Sequence, residues 1–406
     1  MPEYIKELIL GDKMKRLLRI SLDTLLTSTM PIIMWILLGI ILDKNITNVF
    51  TLTYPIQFII TLLLSIFGIG PNVNATKNNK KYLVDSNIIL GSIISFLITI
   101  ILCVNVDNYI KFMSMDVKIY RVFCIYSCIL MYLQLILQLV CQKLYYLEKN
   151  KESNKLTIIF NIINIVSIVV LSFITKNQIV SVISTISIDI LILFYILVKN
   201  IKTFELKFEV LKNMKYVSND IFDRVGMFLI YFIGLKNTLE FGTIYLIAIN
   251  FETLISDAQW DMSYSIVTAA TIDSSKNQVN YKESLRNARK LVALLTTSTL
   301  IMGSVLYFYY KPVLWVAAIF VGVQIFDMFL SPRIWIKQQY CQINYSPKKN
   351  TFHECVKKVI RIVTSFLPTP FCTYIGQLLA MMYQFTIFNI VYRKKYYIED
   401  GLLKMK

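Results

Sequence analysis

The run from Ile88 to Val104, IILGSIISFLITIILCV, holds no charged residue. At about 1.5 Å per helical residue such a run covers most of a hydrocarbon core roughly 30 Å thick. Similar runs recur along the chain, among them PIIMWILLGIIL from Pro31 to Leu42. A soluble protein with this many apolar runs would lack the polar surface to cover them: hydrophobic residues make up 56% and charged residues 17%, against about half and about 25% in soluble domains. The 406 residues therefore read as an all-α, polytopic membrane protein.

The apolar runs predict segments over 20–43, 49–71, 84–105, 117–143, 155–175 and 178–198. After a basic linker, further segments follow over 221–240, 243–272, 288–310 and 313–337. The last apolar stretch, 355–391, divides into two helices near Leu367-Pro368-Thr369-Pro370, which gives about twelve spans; read as one helix it gives eleven. Lys and Arg concentrate in alternate loops: 75–81, 143–155, 199–215, 274–290, 333–358 and the tail YRKKYY. The other loops, such as DKNITN and TKNQ, are short and poor in basic residues. Under the positive-inside rule both termini lie in the cytoplasm and the count is even. The net charge of +17 is absorbed by this bias, so no nucleic-acid partner is expected. The long linker 199–220 separates an N-terminal bundle, 1–198, from a C-terminal one, 221–406. Two such halves are common in secondary transporters.

Catalytic and energy-coupling motifs are missing from the sequence. It has no GxxxxGK[ST], no GxGxxG after a strand, no nucleophile elbow and no HExxH. Seven cysteines without a CxxC and a lone His353 point to no metal or redox site, and no enzyme activity or resident cofactor is expected. Any transport would draw on an ion gradient, a partner or the substrate's own gradient.

Ionisable residues inside spans are costly, which makes each a functional candidate. Asp189 sits midway along the sixth segment with no basic neighbour in sequence. Asp23 lies near the basic start, where an interfacial acid is the plain reading and an ion-binding one the sharper. Asp223, beside Arg224, opens the seventh segment, where a helix N-terminus favours an acid. Lys236 and Glu240 are four apart and able to pair. Asp257 and Asp261 share a helix face and could share a proton, with Glu252 off that stripe. Asp327 and Gln324 precede Pro332, which should break the tenth helix and expose backbone carbonyls beside them.

Several of these stretches resemble the multidrug and toxic compound extrusion (MATE) family, within the wider group of multidrug, oligosaccharidyl-lipid and polysaccharide exporters. They are SNDIFDRVGMFLIYF around Asp223, FGTIYLIAINFETL over 241–254, AQWDMSYSIVTAATIDSS over 258–275, VQIFDMF around Asp327 and FGIGPNVNATKNNKK over 67–81. The resemblance implies two six-helix bundles in a V shape around a central cavity. It also implies export driven by sodium or proton entry, with Asp223 and Asp327 as second-half coupling residues and as the sodium ligands if sodium is the ion. One departure concerns the first helix: where the family commonly carries an acid, Thr27 to Ile41 has none.

The leading expectation is a monomeric secondary exporter of a cationic or amphipathic organic solute, embedded among the lipids of a bacterial cell membrane. A flippase for a lipid-linked sugar or other anionic amphiphile is the alternative; Arg121, Lys143, Arg224, Lys236 and Arg333 could serve it. A third reading is a membrane partner that keeps the scaffold without transport.

Overall fold

The polar loops between apolar runs supply the chemistry that starts and stops each helix. Asn177 accepts from the backbone N–H groups of Ile179 and Val180, while Lys176 takes the left-handed conformation that ends the preceding helix. The TKNQ loop therefore turns the chain within two residues. Asp116 and Asn280 cap their helices in the same way.

A computed structural model describes residues 12–80, 82–202, 209–276, 280–344, 347–387, 396–399 and 402–405. Helix α1 spans Asp12–Ile41. Helices α2 (Asn48–Leu64) and α3 (Gly70–Asn78) join through a wider π turn at Ser65–Ile69. Then come α4 (Tyr82–Val104), a short α5 (Val106–Phe112), α6 (Val117–Tyr146), α7 (Asn150–Thr175) and α8 (Gln178–Asn200). A linker helix α9 (Val210–Tyr216) leads to α10 (Ser218–Leu239), α11 (Thr243–Ser275) and α12 (Tyr281–Tyr310). The chain continues through α13 (Leu314–Leu330), α14 (Pro332–Asn344), α15 (Pro347–Ser365) and α16 (Cys372–Thr386). With α2–α3 and α13–α14 each taken as one broken span, and the short α5 and α9 set aside, twelve spans follow in chain order. An antiparallel hairpin of β1 (Tyr396–Glu399) and β2 (Leu402–Met405) lies in the basic tail, the one β element among the described residues.

The helices outrun the apolar segments, mostly at the ends that carry basic loops. Helix α1 begins eight residues before the expected segment, and α12 begins seven before it. Hydropathy measures the membrane, whereas the backbone ladder continues into water until a cap stops it. Six described helices are long and apolar enough to cross a membrane, and five of them precede the linker. The helices after it carry more buried polar groups.

Packing divides the chain differently from the two sequence halves. One unit runs from Leu26 to Phe241; the other joins the residues up to Leu25 with those from Gly242 onward. Helix α10 belongs with the first unit because Tyr231 stacks on Phe58 of α2, ring centroids 5.3 Å apart, and meets Tyr54 edge-on. The start of α1 belongs with the second. There Met14 and Leu17 share a core with Ile266, Leu291 and Leu295, Arg16 pairs with Asp273 at 2.5 Å, and Ser21 bonds Ser265.

Candidate functional site

In the first unit the polar centre forms where α6, α7 and α8 meet. Asp189 on α8 is fully buried. Its Oδ2 accepts from Asn164 Nδ2 on α7 at 2.6 Å, and the same amide nitrogen donates to the Tyr126 hydroxyl of α6 at 3.0 Å. Trp35 packs edge-on against Tyr126 and closes the centre with an aromatic wall. Asp189 Oδ1 has no hydrogen-bond partner among the described residues, and neither does the hydroxyl of Thr185, one turn earlier on α8.

The second unit holds two further buried acids, positioned by α11, α13 and α16. Glu252 of α11 accepts from Ser256 on its own helix and from the Tyr374 hydroxyl of α16 at 3.0 Å. Tyr374 is fixed by stacking on Phe320 of α13, centroids 4.1 Å apart. Asp327 of α13 accepts from Ser331 Oγ at 2.6 Å and from Gln377 Nε2 of α16 at 2.7 Å. Gln377 also donates to Gln324 Oε1 at 3.0 Å, and Trp260 Nε1 donates to that oxygen at 2.7 Å. One chain of hydrogen bonds therefore links Trp260, Gln324, Gln377, Asp327 and Ser331. Neither Glu252 nor Asp327 has a basic group within 4.0 Å among the described residues.

The break at Pro332 is present, with α13 and α14 bent by 55°. The Asp327 carbonyl keeps its helical bond, accepting from Ser331 N–H at 2.9 Å; the N–H that Pro332 lacks is the one that would have bonded the Met328 carbonyl. Asp23 is fully buried. Asp257 is buried on α11, and the side chain of Asp261 lies outside the described residues. Asp223 is half-buried in the first unit with Arg224 Nε 3.9 Å away, while Asp327 lies in the second unit. Lys236 sits over the Phe112 ring at 4.1 Å, a cation–π contact that ties α10 to α5. No group of three or more acids, histidines or cysteines suited to a metal occurs among the described residues.

Sequence reasoning missed Asn164, Tyr126, Thr185, Tyr374 and Gln377, which are neutral and sit in apolar or mixed helices. A signal existed for α7: Asn150, Asn154, Thr157, Asn161 and Asn164 recur every three or four residues and mark one polar face.

Helix α15 is amphipathic in an inverted sense. Asn350, Glu354, Lys358, Arg361 and Ser365 are buried, while Phe352, Val359 and Val363 face outward. Glu354 pairs with Lys357 at 2.5 Å and Lys358 at 3.7 Å, and accepts from Gln338 at 3.1 Å.

No family model and no curated protein matches this sequence. Solved structures do match the fold. A MATE protein in complex with MaD5 superposes with a TM-score of 0.70 at 12% identity, over 96% of this chain and 97% of that one. An outward-facing multidrug resistance MATE transporter of the MOP superfamily gives 0.69 at 12%, over 96% and 97%. A MOP superfamily transporter from Pyrococcus furiosus, whose binding pocket is described as of reverse polarity and suggestive of a different function, gives 0.68 at 14%, over 96% and 98%. The chain has the fold of the MATE transporters and is a multi-pass membrane protein.

Proposed function

We propose that this protein is a secondary active exporter, working as a monomer in the cell membrane with both termini cytoplasmic. It moves a cationic or amphipathic organic solute by alternating access, driven by entry of protons or sodium. The observation that carries the reading is the set Asp189, Glu252 and Asp327. Each is buried, each is held by neutral donors, and none has a described base within ion-pair distance. A charged carboxylate in that setting is strongly disfavoured unless a cation or proton joins it. Such a group takes up an ion or a cationic solute from one side and releases it when its surroundings change. In this reading Asp189 serves the first unit, where Thr27 to Ile41 of α1 offers no acid. Asp327 and Glu252 serve the second, with Gln324 as a neutral ligand.

The test is solute movement in proteoliposomes under sodium and proton gradients imposed separately. Wild type would be compared with Asp189→Asn, Glu252→Gln, Asp327→Asn and Asp223→Asn. Gradient-driven movement of an organic cation, lost in the first three variants, supports the reading. Unchanged movement in all three removes it.

A flippase for an anionic amphiphile is the second reading, favoured by the buried Lys358 and Arg361 on α15 and by fold likeness to a transporter of reversed pocket polarity. A fluorescent lipid-linked sugar in the same liposomes separates the two. Lipid movement lost in Arg361→Gln, with no cation signal, would favour this second function.

A further inference from the structure

One side of the linker helix α9 is fixed to the first unit. Asn213 is fully buried, its Oδ1 accepting from Asn74 of α3 at 2.8 Å and its Nδ2 donating to Asn87 of α4 at 3.3 Å. Val210 packs with Leu197 and Ile201 on the apolar core that includes Phe67, Val84 and Ile88. Leu197 lies near the end of α8, whose Phe194 and Val198 are two-thirds exposed, as lipid-facing residues of a span are. Helix α9 is therefore laid beside a membrane-facing helix end.

The opposite side of α9 is uncovered. Leu211, at 84% exposure, stands out further than any other large apolar residue described. Lys212 and Lys215 are exposed as well, and at 100° per residue the three share about 100° of the helix circumference. Basic charge gathers around them. Glu209 is shared between Lys80 at 2.7 Å and Lys212 at 3.6 Å. Lys77 lies over the Tyr216 ring at 5.9 Å and is close enough to Lys215 for the two amines to repel. Lys199 and Lys202, both exposed, extend the basic surface onto the end of α8. An apolar side chain flanked by lysines suits the boundary of an anionic leaflet, where the first enters the acyl layer and the second meet phosphates.

We propose that α9 is an interfacial anchor for anionic phospholipid, with Leu211 in the acyl boundary and Lys212 and Lys215 on lipid phosphates. Two observations select lipid as the occupant: continuity with the lipid-facing end of α8, and the gathering of lysines around a single exposed leucine. The inference goes beyond export and needs only a membrane-embedded chain, so it stands apart from the solute and the coupling ion.

The experiment uses the full chain in liposomes of phosphatidylcholine and phosphatidylglycerol. Leu211→Cys carries an environment-sensitive fluorophore, with Phe194→Cys as the lipid reference and Lys151→Cys, at the exposed start of α7, as the water reference. Wild type treated with the same dye corrects for the native cysteines. A phospholipid with a nitroxide on a shallow acyl carbon should quench the probe at 211 nearly as well as at 194. Quenching no greater than at 151 overturns the proposal, and so does a dry probe that lipid does not quench, which would mean that protein covers Leu211. Brominated phosphatidylglycerol should also quench the 211 probe more than brominated phosphatidylcholine at equal mole fraction. Each lysine contributes about a fivefold preference, so Lys212→Gln with Lys215→Gln should abolish the excess while Lys149→Gln leaves it. No excess in the parent Leu211→Cys chain, or an equal excess in the double variant, overturns the lipid site. Loss of solute export with the quenching intact would remove the exporter reading and leave the anchor standing.

Discussion

Gly376 on α16 offers the sharpest test of how the second-unit acids are positioned. A Cβ at this position would collide with Thr364 Oγ1 of α15 and come within 3.2 Å of the Arg361 Cα. Thr364 cannot swing away cheaply, because its hydroxyl bonds the carbonyls of Ile360 at 3.0 Å and Arg361 at 2.9 Å. The Arg361 contact is backbone, so relief requires α16 to shift. Gly376 adjoins Gln377 and lies two residues from Tyr374, the donors to Asp327 and Glu252. Gly376→Ala gains about 1 kcal/mol of helix propensity and loses about 1–3 kcal/mol to overpacking. The expected net loss is about 1 kcal/mol, or ~2–4 °C in melting temperature for a unit of this size. A thiol-reactive dye reads the melt directly, since Cys341 and Cys372 form no disulfide and are buried in this unit. Gradient-driven export should fall in the same variant, and Gly376→Ala with Thr364→Ala should recover part of both losses. An unchanged or higher melting temperature for Gly376→Ala would refute the packing argument, because propensity alone would then decide.

Gln377→Leu should leave Asp327 with one donor fewer and weaken export more than it weakens folding, measured by flux beside melting temperature. Gly70→Ala places a Cβ 2.8 Å from the Asn213 carbonyl; it should push α9 off α3 and lower the melting temperature more than Gly322→Ala, where the space is open. The Lys80–Glu209 pair at 2.7 Å holds the Glu209 carboxyl below its usual range and the Lys80 amine above its own. Its contribution is therefore present between the two ranges, is lost as pH falls through the folded pKa of Glu209, and is lost again as pH rises through that of Lys80. Glu209→Gln should flatten the acid side of a melting-temperature profile, and an unchanged slope would count against the pair.

The spans were legible because burial in lipid demands long apolar runs, and because loop residues such as Asn177 and Asp116 act locally. The split near Leu367–Pro370 is found where two prolines forbid a continuous helix. The packed units were less legible. Whether α10 joins α2 depends on Tyr231 meeting Phe58, a contact between residues far apart in sequence. The buried acids stood out one by one as charges in apolar text. Their donors did not, since Tyr374 lies 122 positions from Glu252 and Gln377 lies 50 from Asp327. The polar face of α7 was written in neutral residues, which barely disturb hydropathy.

The inverted face of α15 also constrains how the chain is made. Emerging from the ribosome, α15 offers the bilayer Lys357, Lys358 and Arg361, each costing about 2.5–3.5 kcal/mol near a helix centre, while its isoleucines, valines and phenylalanine return about 0.3–0.6 each. On that balance it does not partition into lipid alone. Its polar face is covered from two sides: Gln338 of α14 meets Glu354 and Asn350, while α16 lays Gly376 against Arg361 and Thr364 and sets Tyr383 on His353. Helix α15 is therefore expected to settle in the membrane only in company with α14 and α16, which the integration of chains truncated after Ser365 would check.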